Sequence, residues 1–168
     1  MSWLYEIIWS PLDIAYPDLI ARTLLATFLG AVVGFERELH DRPAGLRTHA
    51  LTALAASIFT IVTFEIVARA GATDGTNSDP VRIIEAVTTG VAFLAAGAII
   101  RSGTASVRGL TTGAGLWMTG AIGVACGTGL LQVAILGAVI TAFLLVVVRR
   151  FERDILDTKK ARDNRHSD

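Results

Sequence analysis

The chain lacks the residues on which several classes of protein depend. Its 168 residues include one cysteine, Cys126, which excludes an internal disulfide and a metal cluster built on cysteine thiolates. No Gly-Lys-Ser/Thr loop is present to cradle a phosphate, and nothing suggests a nucleotide domain or an aspartyl-phosphate site. No period of about 20 to 50 residues repeats. These absences argue against an enzyme with catalytic residues or a resident cofactor, and against a nucleotide-driven pump.

Basic residues are missing from the first eighteen positions. That segment therefore lacks the basic start of a signal peptide. It carries the aromatic residues Trp3, Tyr5, Trp9 and Tyr16, so we expect it to lie at the interface on the outer side of the membrane that the helices span. The net charge of the whole chain is zero, which argues against binding to nucleic acid.

What the chain has in abundance is apolar sequence, at 52% hydrophobic residues and a mean hydropathy of +0.56. Because a helix needs roughly 20 apolar residues to cross a bilayer, five segments qualify: residues 19–35, 48–67, 83–100, 110–126 and 130–148. The sequence therefore predicts an all-α, polytopic membrane helix bundle with five transmembrane helices. It divides into an interfacial segment (1–18), the membrane domain (19–148) and a charged tail (149–168).

The basic residues also predict an orientation. Of the fifteen Lys and Arg, twelve lie in the connections 36–47 and 101–109 and in the tail, which share one side if there are five spans. Only Arg69 and Arg82 lie on the other side, and Arg22 lies inside the first span. Because basic loops stay in the cytoplasm, we expect the N-terminus outside and the tail in the cytoplasm.

Four of the predicted helices carry a stripe of small or weakly polar residues along one face. The stripes are Arg22, Ala26, Gly30 and Gly34; His49, Thr52, Ala56, Thr60 and Thr63; Glu85, Thr89, Ala92 and Ala96; and Thr112, Gly115, Thr119, Gly123 and Cys126. Such faces suit either close helix packing or a wet cavity between helices. We take Gly30, Gly34, Gly90, Gly97, Gly123 and Gly127 as candidate packing positions. The pairs Gly30/Gly34 and Gly123/Gly127 suggest association faces beyond those the protomer needs, so we expect a two-fold homodimer.

Charged residues in or near the membrane are the candidate functional groups, since an unpaired charge costs about 2.5 kcal/mol or more at the centre of a membrane helix and should face protein or water. An ion pair between Arg22 and Glu85 is one hypothesis, and Arg22 with Asp18 is another. Thr48, Thr111 and Thr112 are candidate helix caps. The full set of intramembrane and boundary candidates is Arg22, Glu36, Arg37, Glu38, Arg47, His49, Arg82, Glu85, Arg108, Thr111 and Thr112.

Each of the two connections 36–47 and 101–109 carries a basic residue at its end or one position before it. Arg47 and Arg108 could bind a phosphate or a lipid headgroup beside the helix starts that follow, or they could pair with Glu36 and Glu38. Two acidic clusters could be considered for Mg²⁺: Glu36, Glu38 and Asp41 on one side, and Asp74, Asp79 and Glu85 on the other. Neither favours Mg²⁺, because Arg37 and Arg42 lie beside the first and Arg82 beside the second, and we predict no metal site.

Several ordered motifs make the chain recognisable. They are Arg22, Gly30, Gly34, Glu36-Arg37-Glu38, Ala44-Gly45-Leu46-Arg47-Thr48-His49, Asp79-Pro80-Val81-Arg82-Ile83, residues 90–97, and Val107-Arg108-Gly109-Leu110-Thr111-Thr112 with Trp117. Over about residues 18–140 the chain resembles the MgtC/SapB family of bacterial inner-membrane proteins. It departs from the family pattern at Ala92 and Ala95, where glycine is usual. It looks like the short SapB-like or YhiD-like branch, without the C-terminal ACT-like domain.

The resemblance implies a non-enzymatic, multi-pass protein of the bacterial inner membrane tied to magnesium limitation, acid stress or survival inside host cells. It implies a modulator of other membrane machinery, with an ATPase such as the F-type ATP synthase as a candidate partner. The alternative is a small transporter or channel for an ion or small solute, with a polar path between the first four helices. The partners that we expect are the lipid bilayer, a second copy of the chain and another membrane protein.

Overall fold

A computed structural model of the protein describes residues 12–71, 81–100 and 109–164. Within that part of the chain the fold is all-helical. The five helices are α1 (Tyr16–Glu38), α2 (Leu46–Gly71), α3 (Val81–Ile100), α4 (Leu110–Gly127) and α5 (Leu131–Asn164). The predicted helix count and helix order are confirmed. Most of the interfacial segment, residues 1–11, lies outside the described residues.

Three of these helices are long and apolar enough to cross a membrane: α1, α2 and α3. The first part of α5, Leu131–Val147, is a shorter apolar stretch. The helix then continues through the charged residues to Asn164, well past the predicted end at Val148. Apolarity limits only the part of a helix that lies in lipid, and an exposed helix in water tolerates charge.

The bundle is built around α4, which contacts each of the other four helices. Further contacts join α1 to α2, α1 to α5 and α2 to α3, whereas α1 and α3 do not meet through their described residues. At 18 residues α4 is about 27 Å long. Eleven of those residues are buried, so α4 faces protein on most sides.

Most residues buried inside the bundle are small and some of them are polar, with a few larger apolar side chains such as Leu116 and Ile122, whereas the exposed surface is rich in large apolar side chains. Buried positions include Ala26, Ala53, Thr60, Thr119 and Cys126. Exposed positions are rich in bulky side chains: Leu24, Phe28, Phe35, Leu51, Phe59, Phe93, Trp117, Leu136 and Phe143. This distribution is that of a membrane protein, since lipid solvates large apolar side chains and small residues allow helices to approach closely.

Glycines set the contacts of α2 with its two main neighbours. A Cβ added at Gly30 of α1 would lie 2.6 Å from the His49 carbonyl oxygen, and one at Gly34 would lie 2.7 Å from Leu46 Cα. From α4, a Cβ at Gly127 would lie 2.6 Å from Thr60 Cβ, and Gly123 is packed as tightly against Ala53. The backbones of α1, α2 and α4 therefore touch directly.

The predicted stripes on these three helices meet as one packed core. Their threonine hydroxyls donate to the carbonyl four residues earlier: Thr52 to Thr48, Thr60 to Ala56 and Thr119 to Gly115, each at 2.8 Å. Hydroxyls satisfied within their own helix do not require water. Of the two interpretations left open by the sequence, close packing describes these three helices.

The stripe on α3 does not join them. Glu85, Thr89, Ala92 and Ala96 are all exposed in the protomer, and Val87 and Val91 are the buried residues of this helix in the part the structure describes. A Cβ at Gly90 or Gly97 would meet nothing within 4 Å. These two glycines therefore do not serve packing within the protomer, because α3 turns the face with Val87 and Val91 toward α4.

The same geometry corrects the expected dimer face. Gly30 and Gly34 are covered by α2 of their own chain, and Gly123 and Gly127 are covered by it from the other side. A second copy cannot reach these glycines without displacing α2. The small-residue face that stays open is the α3 stripe.

Candidate functional site

A cavity of about 450 Å³ lies at the end of the bundle where α1 stops and α4 starts. We call it the Arg37 cavity. Its polar part is lined by Glu36, Arg37, Arg42, Gly109, Thr111 and Thr112, and its apolar part by Ala114, Gly115, Met118, Ile140, Thr141, Leu144 and Leu145. Three helices form its walls: the end of α1, the first half of α4 and the middle of α5.

Arg37 holds the inner wall of the polar part. Its side chain is buried, with the residue 5% exposed, and its Nη2 donates a hydrogen bond to the Thr112 hydroxyl oxygen on α4. Thr112 is buried as well, at 1% exposure. The sequence suggested that Thr112 caps the start of α4. Its hydroxyl instead accepts a hydrogen bond from the guanidinium group of Arg37 on α1.

The start of α4 lines the polar part of the cavity. Its N-cap is Gly109, which has φ +95° and supplies no side-chain cap. A Cβ at Gly109 would lie 2.8 Å from the Ala98 carbonyl oxygen, so both the backbone conformation and the approach of α3 require glycine. The positive end of a helix dipole thus faces the same space as two guanidinium groups and one carboxylate.

The turn between α1 and α2 places the remaining charges. Asp41 has φ 50°, and the amides of Asp41 and Arg42 donate to Glu38 O and Arg37 O at 3.2 and 3.1 Å. This pattern closes α1 with a Schellman motif, in which residue 41 takes the position that glycine usually occupies. Arg42 follows directly and is turned toward the cavity, where it lines the mouth and is exposed.

The carboxylates of Glu36 and Glu38 contact groups of their own chain. The Glu38 carboxylate accepts the Leu46 amide at 3.0 Å and so caps α2. The Glu36 carboxylate lies 3.2 Å from His40 Nδ1, and it lines the cavity. The capping role that the sequence suggested for Thr48 is therefore carried by Glu38.

His49 lies behind the cavity wall with one nitrogen unused. Its Nδ1 is 2.9 Å from the Gly45 carbonyl oxygen and must carry the proton to donate there, which leaves Nε2 as an acceptor. The residue is 0% exposed, and Nε2 has no hydrogen-bond partner among the described residues. A Cβ at Gly115, which lines the cavity, would lie 3.3 Å from that nitrogen.

At the opposite end of the bundle Arg22 binds a helix terminus and not Glu85. Its Nη1 donates to the Gly127 carbonyl oxygen at 3.1 Å, and a Cβ at Gly129, which has φ +83°, would lie 3.0 Å from its guanidinium carbon. A cation at the last carbonyls of α4 is favoured by the helix dipole. Glu85 is exposed on α3, which does not contact α1 through the described residues, so the hypothesis of an ion pair between them is wrong.

Other candidate residues lie apart from the Arg37 cavity. Arg47 and Arg82 are exposed outside its lining, and Arg108 lies outside the described residues. Sequence reasoning missed Arg42 as a lining residue and the apolar wall from α5. It also missed Glu65, whose carboxylate accepts the amides of Asp13 and Ile14 at 3.1 and 2.9 Å. Arg42 could have been found from the sequence, because it follows Arg37 by five residues across a short connection.

Fold and composition define a polytopic, all-helical membrane protein with a charged cavity at one end. Residues 23–154 match the model of the MgtC family. Over 130 residues the chain is 38% identical to "Putative magnesium transporter YhiD" of Escherichia coli K12, which covers 77% of this chain and 60% of that protein. The chain belongs to the MgtC family.

Two further relatives come from other bacteria. Protein SrpB of Synechococcus elongatus is 37% identical over 139 residues, 79% of this chain and 75% of SrpB. Protein MgtC of Brucella abortus strain 2308 is 39% identical over 122 residues, 73% of this chain and 46% of that protein. The chain thus spans 60% of YhiD and about half of MgtC. No solved structure matches this chain.

Proposed function

We propose that this protein is a non-enzymatic component of the bacterial inner membrane that modulates other membrane machinery during magnesium limitation or acid stress. The observation that carries the proposal is the uncovered stripe of α3, Glu85, Thr89, Ala92 and Ala96, beside the open Gly90 and Gly97. Small and weakly polar residues favour helix association in lipid. A stripe of this kind left open on an otherwise closed core suits contact with a helix of another protein.

The orientation that we propose follows the basic residues. The Arg37 end of the bundle, with the connection 36–47 and the long α5, lies in the cytoplasm, and the Arg22 end lies outside. Glu85 is then one turn into α3 from the outer boundary, where an exposed carboxylate would remain in reach of the headgroup region.

Association through α3 can be tested by crosslinking in native membranes. A photoreactive phenylalanine analogue placed at Ala96 should give a defined adduct whose second component is another membrane protein. The matched control is Val139, which is 60% exposed on the lipid face of α5 and should give adducts with lipid only. An adduct of twice the chain mass would instead favour the homodimer, and equal adducts at both positions would contradict the proposal.

A phenotype provides the second readout. In a strain lacking its own copy, Ala92→Phe should fail to restore growth in low magnesium or acid medium, because it covers the stripe. Val139→Phe should restore growth as the wild type does. Loss of growth with both variants at normal expression, or with neither, would count against a role for the α3 stripe.

The alternative is a small transporter, and the Arg37 cavity is what favours it. The cavity extends from Thr111 to Met118, about 10 Å along α4, and beyond it Ile122 and Cys126 are buried in the core. We therefore expect no ion or proton flux from liposomes that contain the purified protein, with Mg²⁺ among the ions tested. Flux that is lost in Arg22→Ala and Glu85→Ala would establish the transporter instead.

A further inference from the structure

The Arg37 cavity changes character along its length. Its outer part presents Arg37, Arg42 and the uncapped start of α4, and its inner part is lined by Met118, Ile140 and Leu144. Two guanidinium groups against one carboxylate, Glu36, leave a net positive charge, and the helix dipole adds to it. A ligand that fits both parts is anionic at one end and apolar at the other.

The openings of the cavity lead to the two places where such a molecule is found. Arg42 and Thr111 are exposed at the rim, beside the end of α1 and the start of α4. Because α1 is long and apolar enough to cross a bilayer, we place this rim at the membrane surface. Ile140 and Leu144, at 48% and 51% exposure, open the inner part sideways toward lipid. A molecule with its charged group at the membrane surface and an acyl chain in the bilayer could therefore enter without leaving the membrane.

Two polar side chains are buried at the cavity wall or directly behind it. Arg37 is 5% exposed and lies in the cavity wall. His49 is 0% exposed, its Nε2 has no partner among the described residues, and it lies behind Gly115 of the wall. A buried acceptor without a donor is rare in proteins, and a water held between His49 and the cavity wall would satisfy it.

We propose that the Arg37 cavity is a binding site for an anionic phospholipid. The phosphate lies beside Arg37, Arg42 and the first amides of α4, because guanidinium groups and helix N-termini both favour phosphate. One acyl chain lies against Met118, Ile140 and Leu144. Basic pockets between membrane helices are known to select such headgroups. The proposal does not depend on the function proposed for the α3 stripe, which lies on the far side of α4.

Binding can be measured on the full chain in a neutral detergent. The probes are dioctanoyl phosphatidylglycerol, zwitterionic dioctanoyl phosphatidylcholine and inorganic phosphate, each titrated by calorimetry. We expect saturable binding of phosphatidylglycerol, with one molecule per chain, and binding of phosphatidylcholine that is weaker by about tenfold or more.

Two matched pairs of variants locate the site. Arg42→Gln removes a charge from the rim, and its control is Arg47→Gln, an exposed arginine near the same end that does not line the cavity. Ala114→Leu fills the apolar part, and its control is Ala121→Leu, an exposed alanine of α4 that lines a different groove. Arg42→Gln and Ala114→Leu should each weaken phosphatidylglycerol binding by about tenfold, and the controls by less than about twofold.

Three results would overturn the proposal. Equal weakening by Arg42→Gln and Arg47→Gln would show that the lipid is attracted by diffuse surface charge. Inorganic phosphate that competes for the site, depends on Arg42 and is unaffected by Ala114→Leu would show a site for free phosphate. No saturable binding, in a protein whose variants melt at the temperature of the wild type, would show that the cavity holds no phospholipid.

Discussion

A single methyl group added at Gly30 would test the contact between α1 and α2. A Cβ there would lie 2.6 Å from the His49 carbonyl oxygen, 2.8 Å from Ala53 Cβ and 3.1 Å from Ala50 Cα. Optimal carbon contacts lie at about 3.5 to 4.0 Å, so the two helices would have to separate by roughly 0.5 to 1 Å. Overpacking of this kind costs about 1–3 kcal/mol, and alanine returns up to about 1 kcal/mol through its helix propensity.

The variant Gly90→Ala isolates the packing contribution, because a Cβ at residue 90 of α3 meets nothing within 4 Å. Gly90→Ala gains the same helix propensity as Gly30→Ala but introduces no steric clash. We therefore expect the free energy of unfolding of Gly30→Ala to lie about 1–3 kcal/mol below that of Gly90→Ala. The assay is reversible unfolding in mixed micelles with increasing sodium dodecyl sulfate, followed by circular dichroism. Values for the two variants that agree within about 0.5 kcal/mol would refute the argument that α1 and α2 are in backbone contact.

Three further predictions use the same assay. Arg22→Gln should lower the free energy of unfolding by about 1–3 kcal/mol, because it loses the charged hydrogen bond to the Gly127 carbonyl oxygen. Glu85→Gln should change the free energy of unfolding by less than about 0.5 kcal/mol. Equal losses in the two variants would instead support an ion pair between Arg22 and Glu85. Asp41→Gly should raise the free energy of unfolding by up to about 1 kcal/mol, because φ is 50° there, and a decrease would show that the aspartate side chain stabilises the turn. Gly109→Ala should lower it by more than about 1 kcal/mol, because φ is +95° and Ala98 O is close; an unchanged value would show that the start of α4 can move.

The helices were predictable because each needs an uninterrupted apolar run. The segment 110–126 predicted from sequence corresponds to α4 (Leu110–Gly127), and the segment 83–100 to α3 (Val81–Ile100). The burial of the stripes on α1, α2 and α4 also follows from their small residues. The end of α5 did not follow, because hydropathy does not reveal how far a helix continues in water.

The partners of the charged residues were less predictable. Sequence reasoning looks for an opposite charge, and Arg22 instead uses the backbone carbonyl of Gly127, which any residue could supply. Periodicity places Glu85 and Thr89 on one face of α3, but it does not say whether that face or the one with Val87 turns inward. Arg37 and Arg47 lie at the same boundary, but Arg37 reaches the cavity from the face of α1 that contacts Thr112. The turn at Asp41 then brings Arg42 to the same cavity.

The central position of α4 has a consequence for the order in which the protein is made. Its threonines and glycines are tolerated because neighbouring helices cover them, with eleven of its 18 residues buried. Without those neighbours the same small residues would face lipid, and the close helix contacts that they allow would be missing. Because α1 and α2 precede it in the chain, their glycine-lined and threonine-lined faces are available to receive it. We expect the insertion of α4 to be a cooperative step, guided by helices that the ribosome has already delivered.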